Sequence, residues 1–268
     1  MTRRRLDAEL VRRGLVGGPD DARNAVAAGL VTVAGRPADN AARLVSDAEP
    51  IAVAGPGRRF ASRGGEKLDA ALERFAVDPA GRDCLDAGAS TGGFTDVLLR
   101  RGASRVCAVD VGYGQLAWSL RNDPRVSVLD RTNVRTLAPQ TLPFTPSLVV
   151  ADLSFIPLVD VVPALVSLGS EDADLVLLVK PQFESAPADV GRGGVVRDPA
   201  TWRRAVRVVA DACDAHGAPP QDVMASPLPG PAGNVEFLLH ARRGGVRRDV
   251  DMDIDGAIEA AVRIGGAA

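Results

Sequence analysis

The stretch Cys84-Leu85-Asp86-Ala87-Gly88-Ala89-Ser90-Thr91-Gly92-Gly93-Phe94 most limits how this chain can fold. A short apolar run ends in small residues with three glycines and then passes into a helical pattern, the strand, turn, helix order of an α/β nucleotide-binding edge. Strand and helix signals keep alternating after it. Strands are predicted at 82–87, 105–111, 126–129, 147–151, 174–179 and 235–241, with a seventh at 223–225; helices are predicted at 95–101, 159–168 and 200–215. The fold class expected is α/β, a Rossmann-like seven-stranded parallel sheet covered by helices, closed by an acidic terminal helix from Asp249.

The front of the chain has another texture. Residues 1–60 hold ten arginines against seven acids, whereas the whole chain carries a net charge of −2. Leu6, Leu10 and Val11 before Gly14 predict one short helix, Pro19 to Gly29 a second, and 31–33 and 51–53 two strands. The division expected is a small basic α+β unit over 1–57, a linker over 58–63 and the sheet domain over 64–268. In the linker, Phe60 either stacks on a ligand or docks the two units.

Composition excludes several classes. With 46% hydrophobic and 25% charged residues, no stretch as long as a membrane span is free of charge or proline. The basic start runs into acids instead of an apolar core, so no secretory signal is read and a cytoplasmic location is expected. Three cysteines without a paired spacing, Cys84, Cys107 and Cys213, and two histidines, His216 and His240, provide neither a disulfide framework nor a metal site. Of 32 basic residues only Lys67 and Lys180 are lysines, and lysine, unlike arginine, can give up its proton.

The glycine turn is not GxGxxG, and no basic residue waits there for a pyrophosphate, which weakens the NAD and P-loop readings. Its D-x-G-x-x-x-G-G spacing fits S-adenosylmethionine-dependent methyltransferases. On that reading Gly88, Ala89, Ser90, Thr91, Gly92, Gly93 and Phe94 cradle the donor, the small residues letting it approach the backbone. Asp110, ending the next strand, takes the ribose hydroxyls, and Asp130 either approaches the adenine amine or is a solvated strand-end acid. No metal is needed, since a sulfonium loses its methyl by direct displacement.

The accepting atom follows by elimination. Amine methylation is disfavoured because the fourth strand ends in Asp152-Leu153-Ser154-Phe155 instead of an Asn/Asp-Pro-Pro-aromatic stretch. Carbon methylation is disfavoured because the cysteines lie within strands and a helix. Oxygen remains, and a ribose hydroxyl needs help as its proton leaves. Lys67, Asp152, Lys180 and Glu236, before the first strand and at the ends of later ones, form a K-D-K-E set. Lys180 is expected to act as base or as orienting cation, with Asp152 and Glu236 orienting it and Lys67 tuning it.

These residues resemble the ribosomal-RNA 2'-O-methyltransferases of FtsJ-like fold. More narrowly, Ser62-Arg63-Gly64-Gly65-Glu66-Lys67-Leu68, the 85–95 turn, Asp110-Val111-Gly112-Tyr113-Gly114-Gln115-Leu116, Leu178-Val179-Lys180-Pro181-Gln182-Phe183-Glu184 and Gly233-Asn234-Val235-Glu236 resemble the TlyA-type proteins, which join an S4 RNA-binding domain to the methyltransferase. The resemblance implies 2'-O-methylation of cytidine in 16S and/or 23S ribosomal RNA within ribosomal subunits and sensitivity to capreomycin-class antibiotics; a monomer is expected. Arg3, Arg4, Arg5, Arg12 and Arg13 are then RNA-phosphate contacts, the other reading being a solvated basic helix. The turn Gly17-Gly18-Pro19-Asp20 departs from the Ser-Arg common in such domains. The family also carries a haemolysin name, so a membrane-active haemolysin and a non-catalytic RNA-binding factor are the alternatives.

Overall fold

The computed structural model describes residues 3–53 and 59–265. The expected boundary between the small unit and the linker, after residue 57, lies outside the described residues.

The larger unit is built on a seven-stranded sheet: β1 Asp83–Ala87, β2 Arg105–Val109, β3 Val126–Leu129, β4 Leu148–Ala151, β5 Asp174–Val179, β6 Pro220–Ala225 and β7 Phe237–Arg242. Their spatial order is β6-β7-β5-β4-β1-β2-β3, with β7 antiparallel to both neighbours. Strands β1 to β5 are parallel, and the chain crosses back between them through helices, or, between β3 and β4, through two short 3-10 turns. The order changes direction at β1 and β4, so the crevice for a ligand opens beyond their carboxyl ends.

Both faces of the sheet are covered. One carries α1 Gly64–Arg74 and α2 Gly93–Arg100, which bury Leu68, Leu72, Val97 and Leu98 against Cys84, Val106, Val150, Leu178 and Leu238. The other carries α4 Val162–Leu168, α6 Pro199–Ala215 and α7 Asp251–Gly265, packed on Leu85, Val149, Leu177 and Leu239; the short α3 Trp118–Arg121 and α5 Pro181–Glu184 sit in the connections. Alternate residues of each strand thus feed two separate cores. The sequence marks the start of α6 plainly: Asp198 accepts hydrogen bonds from Ala200 N and Thr201 N, and Pro199 takes the first helical position.

Residues 59–62 pack with the larger unit. Phe60 is buried in the α1/α2 core, Ala61 N donates to Asp96 Oδ2 at 2.8 Å, and Arg59 pairs with Asp69. Phe60 thus belongs to the larger unit's own core, where its burial leaves the ring no open face for a ligand.

The small unit has helices Leu6–Arg12 and Pro19–Ala27, the strands Val31–Val33 and Ile51–Val53 as expected, and three short strands that the sequence pattern did not announce. One of these is Arg3–Arg5, an exposed strand paired with Leu44–Ser46. Arg4 pairs with Asp47 and Arg5 with Asp7. Arg12 and Arg13 both donate to Glu9, whose carboxylate is buried, and Arg13 also reaches the carbonyls of Ser46, Asp47 and Glu49. Arg13 therefore ties this fold together, while Arg3, Arg4, Arg5 and Arg12 keep exposed guanidinium surface.

The paired guanidinium groups hold the Glu9 carboxyl down at about 2, below its ordinary value of 4.5. A depressed carboxyl stabilises the fold fully above its unfolded pKa and loses that contribution as pH falls. Glu9→Gln is expected to weaken hydrogen-exchange protection of residues 6–12 by about 2 kcal/mol near neutral pH, the worth of charged hydrogen bonds. The gap to the parent should narrow as pH falls from 4.5 toward 2.

Candidate active site

The pleat of the sheet gathers the polar residues at the crevice. In β1, Cys84 faces the α1/α2 core and so does Asp86, two residues on; in β2, Val106 and Ala108 lead to Asp110; in β4, Leu148 and Val150 lead to Asp152. In β5, Val176 and Leu178 lead to Lys180, and in antiparallel β7 Glu236 precedes Leu238 by two. Register completes the arrangement, since Ala87 lies opposite Ala151, and Val179 opposite Phe237. Lys67 reaches the same place from α1.

Lys180 Nζ lies 2.6 Å from Asp152 Oδ1 and donates to Ser154 Oγ at 2.9 Å. Lys67 Nζ donates to Glu236 Oε2. Both lysines and Glu236 are buried, and Asp152 is half-buried. All four line a cleft of about 350 Å³ together with Gly88, Ser90 and Ser154. The expected pairing is altered in one respect: Glu236 serves Lys67, while Asp152 and Ser154 orient Lys180. Pro181 fixes this lysine locally, because it holds the preceding residue extended and opens the turn of α5.

The glycines of the loop after β1 are small for the protein's own packing. Gly88 has φ +85°, and a Cβ there would strike the carbonyl oxygen of Asp152; Gly92 has φ +96°, and a Cβ there would strike Leu120 and Leu116. One on Gly93 would meet Ser62 Oγ. At Gly92 and Gly93 the space is thus denied by side chains, not reserved for ligand. The loop itself does open on the cleft, through Gly88, Ala89, Ser90, Thr91, Gly93 and Phe94.

Asp110 lies just past β2. Its Oδ2 accepts from Ser90 N at 2.8 Å and its Oδ1 from Gly112 N at 2.7 Å, which fixes the carboxylate to both loops and leaves each oxygen a lone pair. Asp130, past β3, is held by Arg121 at 2.6 Å, and that hydrogen bond pulls its carboxyl below the ordinary range. The cysteines are buried, which pushes each thiol up to about 12 and removes it as a nucleophile. Among the described residues no group of three His, Cys, Asp or Glu could hold a metal ion, and no helix is long and apolar enough to cross a membrane.

Three residues here were not assigned from the sequence: Ser154, Phe155 and Asp86. Ser154 and Phe155 follow Asp152, and the Asp152–Phe155 stretch was read only for what it lacks. Phe155 is 92% exposed, adopts φ +64°, and sets its ring 5.4 Å from that of Phe183. A bulky residue in the left-handed region is strained, and such strain persists where the surroundings impose it. Asp86 is fully buried; Thr95 Oγ1 donates to its Oδ2 at 2.6 Å, and Oδ1 has no partner. Burial, and then the Asp152 and Asp110 carboxylates, push it up to about 7.

A carboxyl raised on folding contributes stability that is complete below its unfolded pKa of 3.8 and lost as pH rises through 7. Asp86→Asn, which keeps the acceptor for Thr95 and removes the charge, should therefore raise the melting temperature of the free protein near pH 8 and change it little near pH 5. An equal shift at both would show that the Asp86 carboxyl is not neutralised by burial.

Comparison with known proteins identifies the family. Residues 60–243 match the FtsJ-like methyltransferase family. A Mycobacterium tuberculosis protein named 16S/23S rRNA (cytidine-2'-O)-methyltransferase TlyA is 56% identical over 241 residues, 90% of each chain. A Brachyspira hyodysenteriae protein named Hemolysin A is 35% identical, covering 88% of this chain and 98% of its own. A solved structure from Streptococcus thermophilus, also named as a hemolysin, superposes with a TM-score of 0.79 at 35% identity over 98% of this chain and 97% of that one. With its seven-stranded sheet, its glycine turn and relatives at this identity, the chain belongs to the FtsJ-like methyltransferase family, among its TlyA-type members.

Proposed function

We propose that this protein transfers the methyl group of S-adenosylmethionine to the ribose 2'-hydroxyl of a cytidine in ribosomal RNA, acting in the cytoplasm on ribosomal subunits. The observation that carries the reading is the meeting of two lysines, each on its own carboxylate, beside the glycine loop in one cleft. The name of the Mycobacterium relative supplies cytidine and ribosomal RNA.

The residues present fit the donor. The loop from Gly88 to Thr91 opens on the cleft, whose volume is in the range of small-ligand sites; Asp110 does not itself line the cleft, but it is tied to cleft-lining Ser90 and keeps a lone pair on each oxygen for two ribose hydroxyls. Bound there, S-adenosylmethionine would supply an electrophilic methyl on a sulfonium that leaves as a neutral thioether. The chain's own work is to orient the hydroxyl and to receive its proton.

On this reading Lys180 Nζ receives that proton. Asp152 and Ser154 take two of its hydrogen-bonding directions, leaving the third for the incoming 2'-oxygen. As the new O–CH₃ bond forms, the O–H proton passes to a deprotonated Nζ, where Asp152 Oδ1, 2.6 Å away, stabilises the charge that results; that proton then leaves to water past half-exposed Asp152. Lys67, fixed on Glu236, provides a second positive charge on the cleft wall. The exposed ring of Phe155 offers a base a stacking surface once the nucleotide leaves its helix. The exposed arginines of the small unit, Arg3, Arg4, Arg5 and Arg12, provide phosphate contacts, so affinity for RNA falls steeply with salt.

The test is methyl transfer from labelled donor to ribosomal subunits. Lys180→Arg keeps the charge and cannot give up a proton, and is expected to bind donor normally in calorimetry while losing about 100-fold in rate. Normal turnover by that variant, or no transfer by the parent protein, overturns the assignment. Phe155→Ala should leave donor affinity unchanged and weaken productive RNA binding by about 1–3 kcal/mol, the worth of one base–aromatic stack.

A further inference from the structure

The loop after β4 and the turn after β5 meet at four places. Three have been described: Asp152 and Ser154 on Lys180 Nζ, and Phe155 against Phe183. The fourth lies at the far end of both segments. Glu184, the last residue of α5, accepts a hydrogen bond from Leu158 N through Oε1 at 2.7 Å. Leu158 opens a single 3-10 turn, Leu158–Asp160, whose first N–H groups have no acceptor inside the turn. The carboxylate of Glu184 caps it from the neighbouring segment.

This acid is an expensive choice. Its Oε2 is buried without a partner, and burial, with Asp160 nearby, pushes the carboxyl up to about 7. The methyl-transfer chemistry does not use it. What it supplies is a fixed point. From Lys180 to Glu184 the chain is one rigid turn opened by Pro181, whereas from Asp152 to Pro157 it has no repeating structure and carries the strained Phe155. A segment of that kind keeps a strained conformation only where both ends are held. Its first end is held by Asp152 N on Ala87 O, and its second by Glu184 on Leu158 N.

We propose that Glu184 is a positioning residue for the methyl transfer argued above, on which this inference rests. By tying Leu158 to the turn that begins at Lys180, it keeps Asp152 and Ser154 on the lysine Nζ and Phe155 beside Phe183. Glu184 touches neither RNA nor donor on this account; it acts through Lys180 and Phe155.

Two substitutions separate positioning from general damage. Glu184→Gln keeps an acceptor for Leu158 N, and Glu184→Met keeps the length and removes it. The methionine variant is expected to bind donor as the parent does and to lose roughly 10- to 100-fold in single-turnover methyl transfer, the scale of a misplacement of about 1 Å, while glutamine restores the rate to within about threefold. A methionine variant with the parent's rate, one that loses donor affinity along with rate, or a glutamine variant as slow as methionine overturns the proposal. A crystal structure of Glu184→Met supplies a readout independent of the substrate. Displacement of Asp152 and Ser154 from Lys180 supports the positioning role even if RNA proves not to be methylated, in which case only the proposed function fails. Retention of both contacts in that crystal overturns the positioning role whatever the activity.

Discussion

The two lysine–carboxylate pairs, Lys67 on Glu236 and Lys180 on Asp152, set the conditions that the rest of the molecule meets. Taking an ammonium out of water costs several kcal/mol, and a buried charge left without its partner typically destabilises by about 3–5 kcal/mol. Each pair therefore demands rigid delivery from both sides. Lys180 and Glu236 arrive on adjacent antiparallel strands whose register places them opposite one another, Asp152 from the next strand, and Lys67 from the helix lying over that face. This chain builds much of its other basic surface from arginine, and only these two positions are lysine. Arginine would fill a pair of this kind as a charge and could not pass a proton on.

Part of the molecule's backbone strain and unpaired buried polarity lies on the segments that build the same cleft. Gly88 and Gly92 take positive φ with their Cβ positions blocked, while Ser90 and Phe155 take positive φ without being glycine. Asp86 and Glu184 each bury an oxygen with no partner. Each of these features costs stability, and the two apolar cores on either face of the sheet carry that cost. The pattern is that of a rigid scaffold holding a polar, strained rim, in keeping with a surface that must receive a charged donor and a nucleotide without rearranging its own charges.

Much of this was legible in the residues. The strands at 126–129 and 174–179 fall where the apolar runs place them, and the others begin or end within three residues, because a buried parallel strand writes itself as a short apolar run bounded by polar residues. The K-D-K-E residues could be assembled because strand ends in this topology share one edge. Their pairing could not: Glu236 stands 169 residues from Lys67, and only the side-chain parity of β7 and the placement of α1 decide that it meets that lysine. Helix α1 escaped notice because Gly64-Gly65 begins it. The strand Arg3–Arg5 escaped because three arginines carry no alternation, and the strand exists through its pairing with Leu44–Ser46. Ser154, Phe155 and Glu184 stand within segments the sequence singles out, but no pattern in those segments assigns any of the three a role.

Whether the cleft methylates a ribose oxygen is decided by the product nucleoside. Ribosomal RNA incubated with the protein and isotopically labelled S-adenosylmethionine can be digested to nucleosides and analysed by mass spectrometry. The label should sit in 2'-O-methylcytidine, on the sugar fragment after glycosidic cleavage. Label on the base fragment would contradict this, since Lys180 is placed in the proposed reaction to take the proton of a ribose hydroxyl.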